Sequence, residues 1–181
     1  MTMRFLVLLC CALLSGSTIA RMTPSPDDTA VGESLLLLNV SGGHYQSFVL
    51  ETSGSLDERI ELSLDKANPD PQWAPSSMVC ATAKSSSYEA CLRISARDAN
   101  ASDVYVTRLL FKDDKRTLLS QEPVTGTFNM GKPVRIALRS GPDTVEFQVD
   151  GGAWLMQALP FTPEALRLNC SSALCKLRLL P

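Results

Sequence analysis

Histidine is nearly absent from this chain of 181 residues, in which His44 is the only one. Catalytic sites and metal centres that depend on histidine therefore have little to draw on. Neither sign of charge is in excess, because 17 basic and 19 acidic side chains give a net charge of −2. A surface that binds nucleic acid normally needs a strong basic excess. We therefore expect no nucleic-acid partner, no cofactor and no metal.

Long apolar runs are also scarce. A membrane-spanning helix needs about 20 apolar residues, and beyond residue 20 the longest leucine run is residues 35–38. We expect no membrane span in that part of the chain. Hydrophobic residues make up 45% of the sequence and charged residues 20%, which excludes a disordered chain and a multi-span membrane protein.

The first twenty residues have the three-part layout of a secretory signal peptide. Arg4 supplies a positive start, residues 5–14 are apolar and uncharged, and Thr18 and Ala20 place small side chains before a cleavage site. We predict a signal peptide over residues 1–20, a mobile segment over residues 21–33 and a single domain over residues 34–181. The protein is then secreted or periplasmic.

Export leaves four of the six cysteines, namely Cys80, Cys91, Cys170 and Cys175. An even number in an oxidising compartment favours disulfides, and four cysteines allow three pairings. We favour the local pairs Cys80–Cys91 and Cys170–Cys175, because turn-forming residues separate the members of each pair. A zinc–thiolate site is the alternative.

The rest of the chain has the period-two pattern of half-buried strands. Apolar residues alternate with polar ones around Ile60, Leu92, Ile136 and Phe147, and Asp150-Gly151 is a strong hairpin signal. No segment keeps a helical period. The pattern predicts an all-β protein of roughly eight to eleven strands, built as an antiparallel two-sheet β-sandwich or jelly roll.

Two resemblances follow from the motifs. Residues 134–139, 144–152 and 165–168 resemble the final strands of concanavalin A-like and laminin G-like jelly rolls, which implies fold more than function. The cysteine layout, with a ten-residue gap from Cys80 to Cys91 and a four-residue gap from Cys170 to Cys175, resembles the bacterial invasion-associated locus B family. That family consists of exported proteins, but Leu174 stands where it usually has glycine. No functional residue is carried over.

Glycoside hydrolysis is the enzyme activity that this fold makes natural, and it needs two carboxylates about 5–10 Å apart. The candidate strand presents Asp57, Arg59 and Glu61 on its outward side. An arginine occupies the middle position, so a salt-bridged solvent face is the plainer interpretation. His44 lies in a glycine-rich turn, without the Gly-x-Ser-x-Gly motif of a serine hydrolase.

The candidate binding residues are Trp154, Arg135 and Arg139. Trp154 follows the Asp150-Gly151 hairpin and offers a flat ring for a sugar, and the two arginines share one outward strand face. We predict an exported, non-enzymatic binding module for a glycan or for an envelope or host protein. A carbohydrate-active enzyme and a periplasmic enzyme inhibitor are the alternatives.

The C-terminus predicts one more strand. Leu177 and Leu179 alternate with Lys176 and Arg178, so the leucines should face the core. We expect this segment to pair within a sheet, with Cys170–Cys175 holding its turn against the strand at Leu166–Leu168.

Overall fold

The computed structural model describes residues 35–51, 56–68, 70–83, 87–98, 100–112 and 117–181. The predicted signal peptide and N-terminal segment lie outside these residues. Within them there is no helix long and apolar enough to cross a membrane. The described residues form thirteen strands: β1 (Leu35–Asn39), β2 (Tyr45–Glu51), β3 (Asp57–Ala67), β4 (Ser76–Thr82), β5 (Tyr88–Ala96), β6 (Asp103–Lys112), β7 (Thr117–Pro123), β8 (Phe128–Asn129), β9 (Val134–Gly141), β10 (Thr144–Val149), β11 (Trp154–Ala158), β12 (Ala165–Ser171) and β13 (Ala173–Leu180).

The strands form two sheets. One has six strands in the order β1-β13-β3-β9-β10-β11, and the other has seven, in the order β2-β12-β4-β5-β6-β7 with β8 paired to β6. Neighbouring strands are antiparallel throughout. The predicted antiparallel β-sandwich of jelly-roll type is therefore confirmed.

The core lies between the inward faces of the two sheets. Ile60 and Leu62 of β3 face it from the six-stranded sheet, Leu92 and Ile94 of β5 face it from the other, and Phe147 is its largest fully buried side chain. Alternation places these residues on one side of each strand because successive side chains point to opposite faces. The period-two assignments in β3, β5, β9 and β10 are thus confirmed.

The strand count exceeds the prediction of eight to eleven. β4, β8 and β11 were not predicted as strands. In β4, every residue after Ser76 is buried, because Met78 and Cys80 on the outward side belong to a second apolar cluster with Cys91 and Leu109. A strand buried on both sides shows no alternation, so a periodicity argument cannot find it.

Both predicted disulfides are present. Cys80–Cys91 joins directly opposite positions of β4 and β5. Cys170–Cys175 has a different role, because it links β12 in the seven-stranded sheet to β13 in the six-stranded sheet. The disulfide holds the turn before β13 against β12, as predicted, although the two strands lie in opposite sheets. Ser172 adopts a left-handed conformation with φ of 48°, and the chain crosses there to the opposite sheet.

The C-terminal strand is otherwise as predicted. β13 pairs with β1 on one side and β3 on the other. Leu177 is buried in the core, and Leu179 packs against it.

Candidate functional site

The outward face of the seven-stranded sheet carries a row of side chains that crosses five strands. The register places Tyr45 of β2 beside Ser171 of β12, then Ser76 of β4, Ser95 of β5 and Tyr105 of β6. We call these five residues the tyrosine–serine row. Four interstrand spacings make it about 19 Å long, at about 4.8 Å per spacing. The three serines are half-buried. Their short hydroxyl side chains therefore separate two tyrosines, one at each end of the row.

At one end, Tyr45 stacks on Trp73. Their ring centroids are 6.4 Å apart and the planes differ by 6°. Both rings remain open to solvent, with 55% of Tyr45 and 42% of Trp73 exposed. The carboxylate of Asp70 accepts hydrogen bonds from the backbone N–H groups of Gln72 and Trp73, at 2.8 and 2.9 Å. This Asx turn fixes the backbone that carries the tryptophan.

Gly43 allows the β1–β2 turn to pack closely against the Asx turn at Asp70. It has φ of +74°, and a Cβ added to it would lie 2.9 Å from Oδ2 of Asp70. The Gly43 N–H also donates to the hydroxyl of Ser172 at 3.0 Å. A residue without a side chain therefore brings the β1–β2 turn next to the aspartate that orients Trp73.

At the other end, Tyr105 is 46% exposed, and its hydroxyl accepts a hydrogen bond from Arg97 at 3.2 Å. An open groove of about 340 Å³ lies beside it, lined by Arg93, Ser95 and Thr107 from the sheet and by Gln121 from β7. The segment after β7 forms its far wall. Gly126 lies so close to the ring of Phe128 that a Cβ would come within 2.5 Å of it.

The next row of the same face contains Arg93. Its register neighbours are Met78 and Thr107. Nε of Arg93 is buried and has no hydrogen-bond partner among the described residues. Burial lowers the pKa of Arg93 from its usual range, because desolvation penalises the charged form. Further along this row, Asn169 is buried and accepts a hydrogen bond from the hydroxyl of Ser47.

An ion pair and a disulfide lie further along the same face. Glu89 is buried and forms an ion pair with Arg167. One ligand atom each of Glu89, Cys80 and Cys91 lies within 4.8 Å of the others. Since both sulfurs form the disulfide, they are not thiolates that could bind zinc.

β3, the strand considered for a pair of catalytic carboxylates, lies in the six-stranded sheet. Glu61 of β3 pairs with Arg135 at 3.2 Å and with Arg178 at 3.7 Å. The interpretation as a salt-bridged solvent face therefore agrees with the structure. His44 is exposed in the turn before β2, where its backbone carbonyl accepts hydrogen bonds from Ser171 and Ser172.

The predicted binding residues Trp154, Arg135 and Arg139 also lie on the outward face of the six-stranded sheet. Trp154 is 38% exposed, but the guanidinium of Arg139 lies 4.1 Å from its ring centroid. Arg139 also forms an ion pair with Glu146. The structure brings Trp154 and Arg139 together and covers one face of the indole. Arg135 lies on the same sheet and pairs with Glu61.

Tyr45, Trp73 and Tyr105 were missed by the sequence analysis. A local signal existed for Trp73, since the turn-forming pair Asp70-Pro71 lies one residue before it in the chain, separated by Gln72. Tyr105 alternates with Val104 and Val106, which places it outward. The row itself joins strands that are far apart in sequence, and no local pattern contains it.

No protein-family model matches the chain, and no curated protein matches it in sequence. Solved structures do match it. A carbohydrate-binding module, CBM66 from Bacillus subtilis, has a TM-score of 0.54 at 10% identity, with 81% of this chain and 88% of that chain covered. The Crh5 transglycosylase in complex with NAG has a TM-score of 0.48 at 13% identity, with coverage of 83% and 76%. A Bacillus licheniformis β-glucanase has 0.41 at 13%, with coverage of 83% and 77%.

At these identities the similarity shows the fold alone. It supports the predicted jelly-roll β-sandwich fold. The resemblance to the invasion-associated locus B family gains no support and stays a prediction.

Proposed function

We propose that the protein is an exported, non-enzymatic binding module that holds a glycan along the tyrosine–serine row. The observation that carries this proposal is the row itself, with two exposed aromatic ends and three serines between them. The fold similarity to CBM66, a carbohydrate-binding module, is consistent with it.

The chemistry of the row suits a sugar chain. The flat face of an aromatic ring packs against the C–H face of a sugar, while serine hydroxyls donate to and accept from sugar hydroxyls. Short side chains on the floor let a ligand lie close to the sheet. A length of about 19 Å has room for several sugar rings.

The ion pair between Glu89 and Arg167 favours binding over hydrolysis as the function of this face. A glycosidase needs a pair of carboxylates in distinct protonation states across the scissile bond. Glu89 already forms an ion pair with Arg167, and the next two outward positions of β5 hold a disulfide cysteine and Arg93. The alternatives from the sequence, a carbohydrate-active enzyme and an enzyme inhibitor, remain outcomes of the test below.

The experiment is a glycan array probed with the purified protein, followed by calorimetry on the glycans that bind. Tyr105→Ala and Trp73→Ala should each weaken binding about tenfold or more, since each removes one stacking ring. Trp154→Ala on the opposite sheet is the matched control and should bind like the wild type. All variants are checked by thermal unfolding first.

The other outcomes are informative. Loss of binding in Trp154→Ala alone would move the site to Trp154, Arg135 and Arg139, as the sequence predicted. Turnover of a bound glycan would support the enzyme alternative. Absence of any glycan binding, together with capture of a purified enzyme or envelope protein, would overturn the proposal in favour of a protein partner.

A further inference from the structure

Arg93 is a half-buried cation on the outward face of the seven-stranded sheet. Two other arginines of this sheet have an acidic partner: Arg167 pairs with Glu89, and Arg108 pairs with Glu122. For Arg93, by contrast, no ion pair occurs within the ranges that the structure describes, and its buried Nε has no hydrogen-bond partner there. Holding a half-buried guanidinium unpaired costs free energy, because the group has lost part of its hydration.

The groove beside Tyr105 gives a ligand access to that cation. Its volume of about 340 Å³ falls within the range of about 300–1,000 Å³ that is usual for small-molecule sites. Ser95, Thr107 and Gln121 add two hydroxyls and an amide to the lining. Ser95 and Tyr105 belong to the tyrosine–serine row as well, so the groove continues from the end of the row.

We propose that this groove binds the carboxylate of an acidic sugar unit, with Arg93 as the partner of the carboxylate and Tyr105 stacked on the sugar ring. This inference rests on the proposed function and names the class of glycan. A guanidinium holds a planar carboxylate by two parallel hydrogen bonds, and such charge-assisted bonds are about twice as strong as neutral ones. An arriving carboxylate supplies the counter-charge that Arg93 lacks.

The test compares polygalacturonate with its fully methyl-esterified form, which has the same backbone without the charge. Calorimetry with the wild-type protein should show at least about tenfold tighter binding of the acid form, as expected for a hydrogen-bonded charge pair. Arg93→Gln should remove that preference. Arg93→Lys should keep part of it, since lysine retains the charge but not the bidentate geometry. Arg139→Gln, on the opposite sheet, is the control and should leave the preference intact.

Five results would overturn the inference. Equal affinity for the acid and ester forms would exclude charge recognition. An acid preference that survives in Arg93→Gln would place the carboxylate elsewhere. Tighter binding of dextran sulfate than of polygalacturonate, lost in Arg93→Gln, would replace the carboxylate by a sulfate. Binding of neutral glycans only, abolished by Tyr105→Ala and unchanged in Arg93→Gln, would keep the proposed function and reject this inference. Failure of every glycan to bind rejects both.

Discussion

Gly43 is a single residue on which the arrangement at one end of the tyrosine–serine row depends. Its φ is +74°, and its missing side chain leaves space for the carboxylate of Asp70. Gly43→Ala should destabilise the fold by about 1–2 kcal/mol from the left-handed backbone alone. It should also weaken glycan binding, because displacement of Asp70 releases the turn that presents Trp73.

Gly151 provides a matched control for that variant. It has nearly the same φ, +72°, but a Cβ added to it would meet nothing within 4 Å. Gly151→Ala therefore measures backbone strain without a clash. We expect urea unfolding to show a larger loss for Gly43→Ala than for Gly151→Ala, and a binding defect in the first only. Equal stability losses with unchanged binding in both would show that Asp70 does not transmit the change.

At the scale of elements, β13 holds the six-stranded sheet together near its edge. It is the only described strand that pairs with β1, and Leu177 fills the core beneath it. Removing residues 177–181 takes two leucines from their packing, at about 1.5–3 kcal/mol for each one fully buried. This is a large share of a usual stability of about 5–15 kcal/mol. The melting temperature should fall steeply.

Two point variants in β13 separate the effect of core packing from the effect of a surface ion pair. Leu177→Ala should cost about 2–5 kcal/mol, as for other buried leucines. Lys176→Ala faces solvent and loses only an ion pair with Asp65, so it should cost less than about 1 kcal/mol. A truncated chain that melts with the full-length chain would show that β13 is not a core strand.

Strands also show how far the sequence could predict this molecule. β3, β5, β9 and β10 each alternate apolar inward residues with more polar outward ones, so their pattern could be recognised. β4 could not be recognised in this way, because Met78 and Cys80 bury its outward side as well. The local disulfides were predictable from short spacing. The site was not, since the row depends on register between Tyr45 and Ser171, which are 126 positions apart in the chain.

For the whole molecule, the two outward faces differ in their electrostatics. On the six-stranded sheet, Arg135, Arg139 and Arg178 each have an acidic partner, which is Glu61 or Glu146. On the seven-stranded sheet, Nε of Arg93 has no hydrogen-bond partner in the described part of the chain, and an open groove lies next to this side chain. The three arginines of the first face already have acidic partners, whereas Arg93 has none among the described residues. A ligand with a negative charge should therefore prefer the face that carries Arg93.

The contribution of each disulfide to the free energy of unfolding can be measured separately. Cys80–Cys91 lies within one sheet, and Cys170–Cys175 connects the two. Their sequence separations are 11 and 5, which the chain-entropy model converts to about 2–3 kcal/mol each. We expect Cys80→Ala/Cys91→Ala and Cys170→Ala/Cys175→Ala to lose comparable stability in denaturant. Each should keep glycan binding while folded, because neither disulfide belongs to the row.

The same measurement bears on the compartment. Wild-type protein should unfold at a lower denaturant concentration once a reductant is added, and a non-reduced digest should give two separate cross-linked peptides. Disulfides persist in oxidising compartments, so these results would agree with the predicted export. Protein isolated with four free thiols, and unaffected by reductant, would contradict both the pairing and the signal peptide assigned to residues 1–20.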